Sequence, residues 1–299
     1  MDPLDEVRAL ITRHARPGNT ATVLDGVKVM ATAAPTDPVP VIYEPSIAIV
    51  AQGAKRTVLG SETFDHRSGQ YLIVPIELPI SSHVIRASRK KPFLAVGMRL
   101  QPALIATLLL EAASGKHDED DTPGFEVSQA NRELLEAFAR LLRLLDHPEN
   151  ITIIRPLIER EIIWRLLKNK QGALLRQIGR ADGHLTQISR ATRWIRSHFA
   201  ETLRIEDLAR IAGMSATSFH RHFRSLTMMS PLQYHKRIRL HHARARLIAE
   251  AQDVATIGFE VGYDSPSQFS REYRRLFGVP PGRDAARLRM TVTGNSGSA

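Results

Sequence analysis

Two arginine-bearing segments, fifty positions apart, hold the side chains best suited to recognising a polyanion. Residues 217–226 read Thr-Ser-Phe-His-Arg-His-Phe-Arg-Ser-Leu, and residues 267–276 read Ser-Gln-Phe-Ser-Arg-Glu-Tyr-Arg-Arg-Leu. Phe219 matches Phe269, Arg221 matches Arg271, Phe223 matches Tyr273, Arg224 matches Arg274 and Leu226 matches Leu276. On a helix, Phe219, Phe223 and Leu226 fall at i, i+4 and i+7, so they share one face that must be buried. Thr217, Arg221 and Arg224 keep the same spacing and point elsewhere. The second copy repeats this, with Phe269, Tyr273 and Leu276 inward and Ser267, Arg271 and Arg274 outward. A guanidinium fork suits guanine edges and phosphate oxygens, which it meets with paired hydrogen bonds.

Each segment needs a partner helix to present it, and the sequence supplies one. Upstream, Leu208, Gly213 and Met214 correspond to Ile257, Gly262 and Tyr263, one residue out of step. A short apolar helix (Leu208, Ala209, Ala212; Ile257, Phe259, Val261) therefore ends at a glycine suited to a left-handed cap. The second helix begins at Ser215 in one copy and at Ser265 in the other. There, Ser265 as N-cap, Pro266 at N1 and Gln268 at N3 predict a capping box with a proline opener. Both copies close in proline turns, Ser230-Pro231 and Pro280-Pro281. This is the anatomy of two helix-turn-helix units.

Between them, Leu232–Ile248 predicts a basic helix with Lys236, Arg237, Arg239, Arg244 and Arg246, anchored by Leu232, Ile238, Leu240 and Leu247. Such a rod would fix the spacing of two readers. Helices entering successive major grooves on one face of DNA must sit about 34 Å apart. His235, His241 and His242 lie on this helix without an acidic or cysteine ligand at helical spacing. They are expected to face solvent or phosphate rather than a metal.

Charge placement agrees. The chain carries +10 in 299 residues, and residues 186–290 hold 18 Lys+Arg against 9 Asp+Glu, leaving 23 against 22 elsewhere. A basic surplus confined to one segment is the footprint of a polyanion binder. No run approaches the roughly 18 apolar residues that cross a bilayer, and Asp2, Asp5 and Glu6 give the start the wrong charge for a secretory leader. With no cysteine there is neither a disulfide framework nor a thiolate metal site. The expected protein is soluble and cytoplasmic, in the company of the nucleoid.

Residues 41–100 read as short strands. Val41-Ile42-Tyr43, Ile47-Ala48-Ile49-Val50 and Tyr71-Leu72-Ile73-Val74 are punctuated by Pro45, Gly53, Gly60, Gly69 and Pro75, which suggests an antiparallel barrel or sandwich. Helix follows from Pro102 to about Ala113. Residues 115–124, with Asp118-Glu119-Asp120-Asp121, lack the spaced ligands of a calcium loop and read as a solvated connector. From Asn131 to Asp146, Leu134, Phe138, Leu141 and Leu145 form a heptad-like stripe. A further helix after Pro156 carries Leu157, Ile158, Ile162, Leu166 and Leu167 on its apolar side. These helices serve as core or as a dimer interface, and residues 179–183 read as a linker.

The segment Ile257-Gly258-Phe259-Glu260-Val261-Gly262-Tyr263, running on through Ser265-Pro266-Ser267-Gln268-Phe269-Ser270-Arg271 to Phe277-Gly278-Val279-Pro280-Pro281-Gly282, resembles the second-unit signature of the AraC/XylS transcription regulators. Residues 207–215 resemble the first unit. The resemblance implies a two-unit DNA reader with base-reading positions at Thr217, His220 and Arg221, then Ser267, Gln268 and Arg271. Arg224, Arg239 and Arg274 are assigned to phosphates. Arg204 departs from the small hydroxyl N-cap common in the family, and Pro266 cannot read a base edge by hydrogen bonds. Residues 41–71, from Val41-Ile42-Tyr43-Glu44-Pro45-Ser46 through Gln52-Gly53-Ala54-Lys55-Arg56 to Gly69-Gln70-Tyr71, resemble the cupin-like N-terminal domain of one AraC subgroup. That implies an effector-sensing barrel whose trailing helices dimerise.

The expected fold is therefore α+β: a cupin-like barrel over 1–115, a helical dimerisation and linker region over 116–184, an all-α tandem helix-turn-helix domain over 185–290, and a flexible tail over 291–299. Its expected partners are double-stranded DNA, a small-molecule effector, RNA polymerase and a second copy of itself, with no membrane and no cofactor. The rival is a cupin-fold enzyme with an accessory basic module, but His66 and His83 stand apart without the clustered ligands such an enzyme needs, and no activated nucleophile or phosphate loop is present. A general DNA-packaging protein would not require two matched readers.

Overall fold

Strand-forming and helix-forming residues segregate along the chain, and so do the units they build. The computed structural model describes residues 1–15, 20–112, 125–180, 183–250 and 252–294; the expected connector at 115–124 and residues 295–299 of the expected tail lie outside the described residues. The chain divides into two compact units, Met1–Pro38 with Tyr43–Gln187, and Val39–Ile42 with Ile188–Ala299.

In the first unit α1 (Pro3–His14) precedes the strands β1 (Thr20–Leu24) and β2 (Val27–Thr32); after β3 (Val39–Tyr43), of which only Tyr43 belongs to this unit, come β4 (Ser46–Gln52), β5 (Ala54–Leu59), β6 (Glu62–Arg67), β7 (Gln70–Val74), β8 (Leu78–Arg86) and β9 (Phe93–Arg99). After α2 (Pro102–Glu111) come β10 (Val127–Gln129), α3 (Arg132–Arg143), α4 (Ile151–Lys168) and α5 (Gly172–Gly179). One antiparallel sheet runs β1-β2-β9-β4-β7-β10. A second pairs β8-β5-β6, also antiparallel. The expected sheet-rich domain is present as these two sheets. Gly53 makes the turn that passes the chain from the first sheet to the second: its φ is +83°, and a Cβ there would lie 2.4 Å from the Arg86 carbonyl. Only glycine fits such a corner.

Asn131 caps α3 by accepting from the Leu134 amide at 3.0 Å. Leu134, Phe138 and Leu141 of the expected stripe are fully buried, but α3 ends at Arg143 and Leu145, in the 3-10 turn that follows, is only half-buried. The next helix differs from expectation. α4 opens at Ile151, before Pro156, and Leu157 is 59% exposed together with Ile153 and Ile154. Apolar residues surround α4 on more than one side, so periodicity alone could not choose its buried face. Ile158, Ile162, Ile163 and Leu166 occupy it.

The second unit is helical: α6 (His184–Ser197), α7 (Ile205–Ala212), α8 (Ala216–Thr227), α9 (Pro231–Ala249), α10 (Val254–Glu260), α11 (Pro266–Phe277) and α12 (Pro281–Gly294). The repeat extends further than the sequence reading took it. The two proline turns open matching third helices, α9 and α12. α9 serves both halves. Tyr234 meets Phe223 edge-on at 5.5 Å, and Phe219 packs on Phe223 at 5.3 Å. Further along, Leu240, Ala243 and Leu247 share a core with Ile257, Val261, Phe269 and Tyr273. Each of these fully buried rings contributes about 1.5–3 kcal/mol by leaving water. Leu232, expected as an anchor of α9, is 54% exposed, and so is Phe259 of α10. Both lie off the buried arc of a helix whose other apolar residues already fill the core.

Candidate nucleic-acid interface

The same cap geometry ends the first helix of each unit. After α7, Gly213 (φ 67°) and Met214 donate to the carbonyls of Arg210 at 3.0 Å and Ala209 at 2.9 Å. After α10, Gly262 and Tyr263 donate to Phe259 at 2.9 Å and Gly258 at 3.0 Å. These bonds satisfy the last carbonyls of the helix and set the turn into the next one. Gly262 (φ 92°) is the tighter case: a Cβ would stand 2.4 Å from the Ala200 carbonyl.

Ser215 Oγ accepts from the Ser218 amide at 3.3 Å, and Ser265 Oγ from the Gln268 amide at 3.4 Å. The reciprocal half of the box expected at Ser265 is missing. The Gln268 amide donates along the helix to Glu272 Oε1 at 3.4 Å instead. A complete capping box opens α9, where Ser230 receives from Gln233 N at 3.2 Å and Ser230 N donates to Gln233 Oε1 at 2.8 Å.

With these ends fixed, α8 and α11 turn Phe219, Phe223, Phe269 and Tyr273 inward. Thr217, His220, Arg221 and Arg224 of α8 are exposed, as are Ser267, Arg271 and Arg274 of α11; Gln268 is half-buried. Among the described residues no ion pair involves Arg221, Arg224, Arg271 or Arg274. Other basic side chains of the unit are held: Arg246 by Glu250 and Glu260, Lys236 by Glu272 at 2.7 Å. The outward arginines of α8 and α11 are thus available to an external anion, as is the neighbouring exposed Arg275.

Arg239 sits differently from its expected phosphate position. Its Nε donates to the Phe199 carbonyl at 2.7 Å, and its NH2 to Ala200 at 3.1 Å and Glu201 at 2.9 Å. The guanidinium also lies 5.9 Å over the Tyr263 ring. It ties the chain after α6 to α9 and the second turn. That frame role occupies three of its five N–H donors, those of the Nε and NH2 edge that a paired phosphate contact would use.

The α9 histidines are also internal, a correction to the solvent- or phosphate-facing expectation. His235 is buried and its Nε2 lies 2.7 Å from the Phe199 carbonyl; burial, reinforced by Arg239, lowers its pKa to about 4. His241 stands edge-on to Phe277, and burial, then Arg244 and Arg237, lower it to about 3. His242 stacks on Phe199 at 3.9 Å, and burial lowers its pKa as well. All three are neutral packing groups near pH 7. Among the described residues no group of three or more His, Asp or Glu is placed to hold a metal ion.

Two supports of the second unit were invisible in the sequence. Asp284, fully buried at the start of α12, accepts from Arg244 at 2.8 Å, Tyr273 at 2.9 Å and Arg287 at 3.0 Å. Glu272, on the reader helix itself, accepts from Lys236 and from Tyr263 Oη at 2.9 Å. Their neighbours come from other helices, so no local spacing announces them.

Two short helices joined by a glycine-capped turn, given twice around a shared helix and facing arginines outward, define a tandem helix-turn-helix DNA-binding protein with a sheet-rich N-terminal unit. Residues 23–174 match the family described as AraC-type transcriptional regulator N-terminus, and residues 208–287 match a helix-turn-helix domain. The chain belongs to the AraC-type transcriptional regulators. It is 26% identical over 252 residues to the virulence regulon transcriptional activator VirF of Yersinia enterocolitica, covering 82% of this chain and 89% of that one. It is 27% identical over 165 residues to the transcriptional activator RhaS of Enterobacter sp. (strain 638), covering 53% and 58%. In fold it is similar to ToxT of Vibrio cholerae solved with an unsaturated fatty acid, with a TM-score of 0.54 and 9% identity over 87% of this chain and 93% of that one. The named relatives are activators of transcription, and this chain is a transcription regulator, not an enzyme. No helix among the described residues is long and apolar enough to cross a membrane.

Proposed function

We propose that α8 and α11 enter successive major grooves of one DNA face and read it with Thr217, His220 and Arg221, then Ser267, Gln268 and Arg271. Arg224 and Arg274 hold phosphates on either side. The single observation that carries this reading is the matched pair of exposed arginine faces, without ion pairs among the described residues (Arg221 contacts only the His222 ring, at 3.3 Å) and mounted on a common helix. α9 has 19 residues, so at 1.5 Å per residue it spans about 28 Å, a length on the scale of one helical turn of DNA. Arg239 is left out of the phosphate set because its Nε and NH2 donors are held by backbone carbonyls.

The N-terminal unit, over about 1–115, is the effector-binding part, and the helices of 116–184 form a homodimer and connect it to the 185–290 DNA-binding domain. RNA polymerase is the further partner of an activator. The site of action is the cytoplasm, at the nucleoid. Footprinting of the purified protein over its own upstream region tests the reading. Two protected major-groove segments one helical turn apart support it; uniform protection at any sequence would sink it.

A further inference from the structure

The inward face of the second sheet carries a charge where the core of a sheet domain is ordinarily apolar. β5 pairs with β6 so that Lys55 opposes His66 and Thr57 opposes Phe64; it pairs with β8 so that Lys55 opposes Val84 and Thr57 opposes Ser82. Opposed residues share a face of the sheet, so Lys55, Thr57, His66, Ser82 and Val84 lie together. That face is the buried one: His66 is 2% exposed, Thr57 3% and Val84 fully covered. The other face carries Arg56 and Asp65, which close their own ion pair at 2.7 Å.

Lys55 Nζ donates to Tyr43 Oη at 2.9 Å, and Tyr43 Oη lies 3.0 Å from Ser82 Oγ. Thr57 Oγ1 lies 2.9 Å from His66 Nε2. His66 Nδ1 is buried and has no hydrogen-bond partner. Among the described residues Lys55 has no carboxylate partner, in contrast to its neighbour Arg56. The cluster therefore contains one ammonium, three hydroxyls and an imidazole, and no anion. Charges taken out of water are normally paired, because an unpaired one is costly to keep there.

The surrounding groups respond to that ammonium. Burial pushes the Tyr43 phenol up, but the charge and hydrogen bond of Lys55, with Ser82 and Lys28, outweigh it and hold the phenol below its ordinary value. Burial, reinforced by Lys55, lowers His66 to about 4, so the imidazole is neutral and adds no second cation.

We propose that this cluster is the polar end of a ligand site in the N-terminal unit, taking the carboxylate of an otherwise apolar small molecule on Lys55, Tyr43 and Ser82. The charge count selects a monoanion. One ammonium without a guanidinium fork leaves a dianionic phosphate half neutralised. Beside Lys55, Val84 packs with Val50 and Phe93, and Met30 and Ala95 adjoin them, so a ligand body next to the ammonium would meet apolar side chains. The lysine itself is half-buried, so it retains a route to solvent. The proposal rests on the effector reading of this unit and narrows it to a chemical class.

The test is calorimetric titration of the full chain with straight-chain carboxylates from acetate to decanoate, beside primary alcohols and alkyl phosphates of equal length. A carboxylate is expected to bind about tenfold or more tightly than its alcohol, the weight of one charge-assisted hydrogen bond. Lys55→Gln keeps a donor for Tyr43 and should abolish that preference while operator binding shows the variant to be folded. Tyr43→Phe and Ser82→Ala should each weaken carboxylate binding several-fold, as independent checks. Equal binding of acid and alcohol, preference for the phosphate, no carboxylate bound, or a preference that survives Lys55→Gln would each overturn the site. A neutral compound that binds the unit and alters operator affinity equally in Lys55→Gln would overturn the carboxylate assignment yet leave the effector reading standing.

Discussion

Tyr273, in the middle of α11, donates its hydroxyl to Oδ2 of Asp284 at 2.9 Å, and that carboxylate is fully buried under the helix that closes the repeat. Arg244 reaches the same carboxylate from α9 and is itself largely covered. One acidic side chain thus fastens three helices behind the second reading face. Asp284→Ala leaves the Arg244 guanidinium buried without its partner, a loss of about 3–5 kcal/mol. Tyr273→Phe removes one neutral donor and should cost about 1 kcal/mol. Urea titration of the two variants checks the order. Equal losses would show that the hydroxyl, not the ion pair, dominates the site.

Two left-handed glycines of the second unit separate backbone conformation from crowding. At Gly278 (φ 78°) a Cβ meets nothing within 4 Å, so Gly278→Ala is expected to cost only about 1–2 kcal/mol of conformational strain. At Gly262 the added Cβ meets the Ala200 carbonyl at 2.4 Å and the Arg239 guanidinium at 2.6 Å. Gly262→Ala should lower the melting temperature further than Gly278→Ala and reduce operator binding, because it dislodges Arg239 from the carbonyls it holds. Equal melting temperatures would mean that the turn relaxes freely.

How much of this was legible depended on where each residue's partners lie. Phe219, Phe223, Arg221 and Arg224 have their neighbours one or two turns away, so helical spacing exposed both faces of α8, and the repeat doubled the signal. α12 was missed because the recognised repeat ended at its opening prolines, and Asp284 gains its meaning only from Arg244, forty positions earlier. The histidines of α9 were misread for the same reason: their environment is Phe199, in the turn after α6, and Phe277 of α11. In the N-terminal unit the inward Lys55 and His66 break the apolar alternation that marks a half-buried strand, so β5 and β6 had no clear signature. Leu157 failed differently, on a helix with apolar residues on more than one side.

Acid should weaken the second unit well before its carboxylates titrate. In the unfolded chain His235 and His241 take up protons near 6.5; in the folded unit they do so only near about 4 and about 3. Between those values the unfolded state binds more protons, so stability is full above pH 7 and declines as pH falls through 6.5 toward 4. At about 1.4 kcal/mol for each pH unit, the loss assigned to His235 by pH 4 is on the order of 3 kcal/mol. Trp194 reports this unit if Trp164 is replaced by Phe. Its unfolding midpoint in urea should fall between pH 7 and pH 4.5, and His235→Gln should flatten that fall. A midpoint independent of pH over this range would mean that the ring is charged in the native unit.

The four outward arginines should divide into two kinds when each is replaced by alanine. Arg221→Ala and Arg271→Ala are expected to weaken operator binding by about 1–3 kcal/mol and to relax one base position each, leaving affinity for random DNA nearly unchanged. Arg224→Ala and Arg274→Ala should weaken operator and random DNA alike and reduce the slope of log K against log salt by about 0.9, the signature of one lost phosphate contact. Pro266 offers no hydrogen-bond donor and the Ser267 hydroxyl can serve either donor or acceptor edges, so the sharper discrimination in the second half-site falls to Gln268 and Arg271, and Gln268 is already drawn toward Glu272. Glu272→Ala should therefore change which base is preferred opposite Gln268 more than it changes overall affinity. Selection from a randomised operator library measures both quantities at once, and an unaltered base preference would show that Gln268 does not read that position.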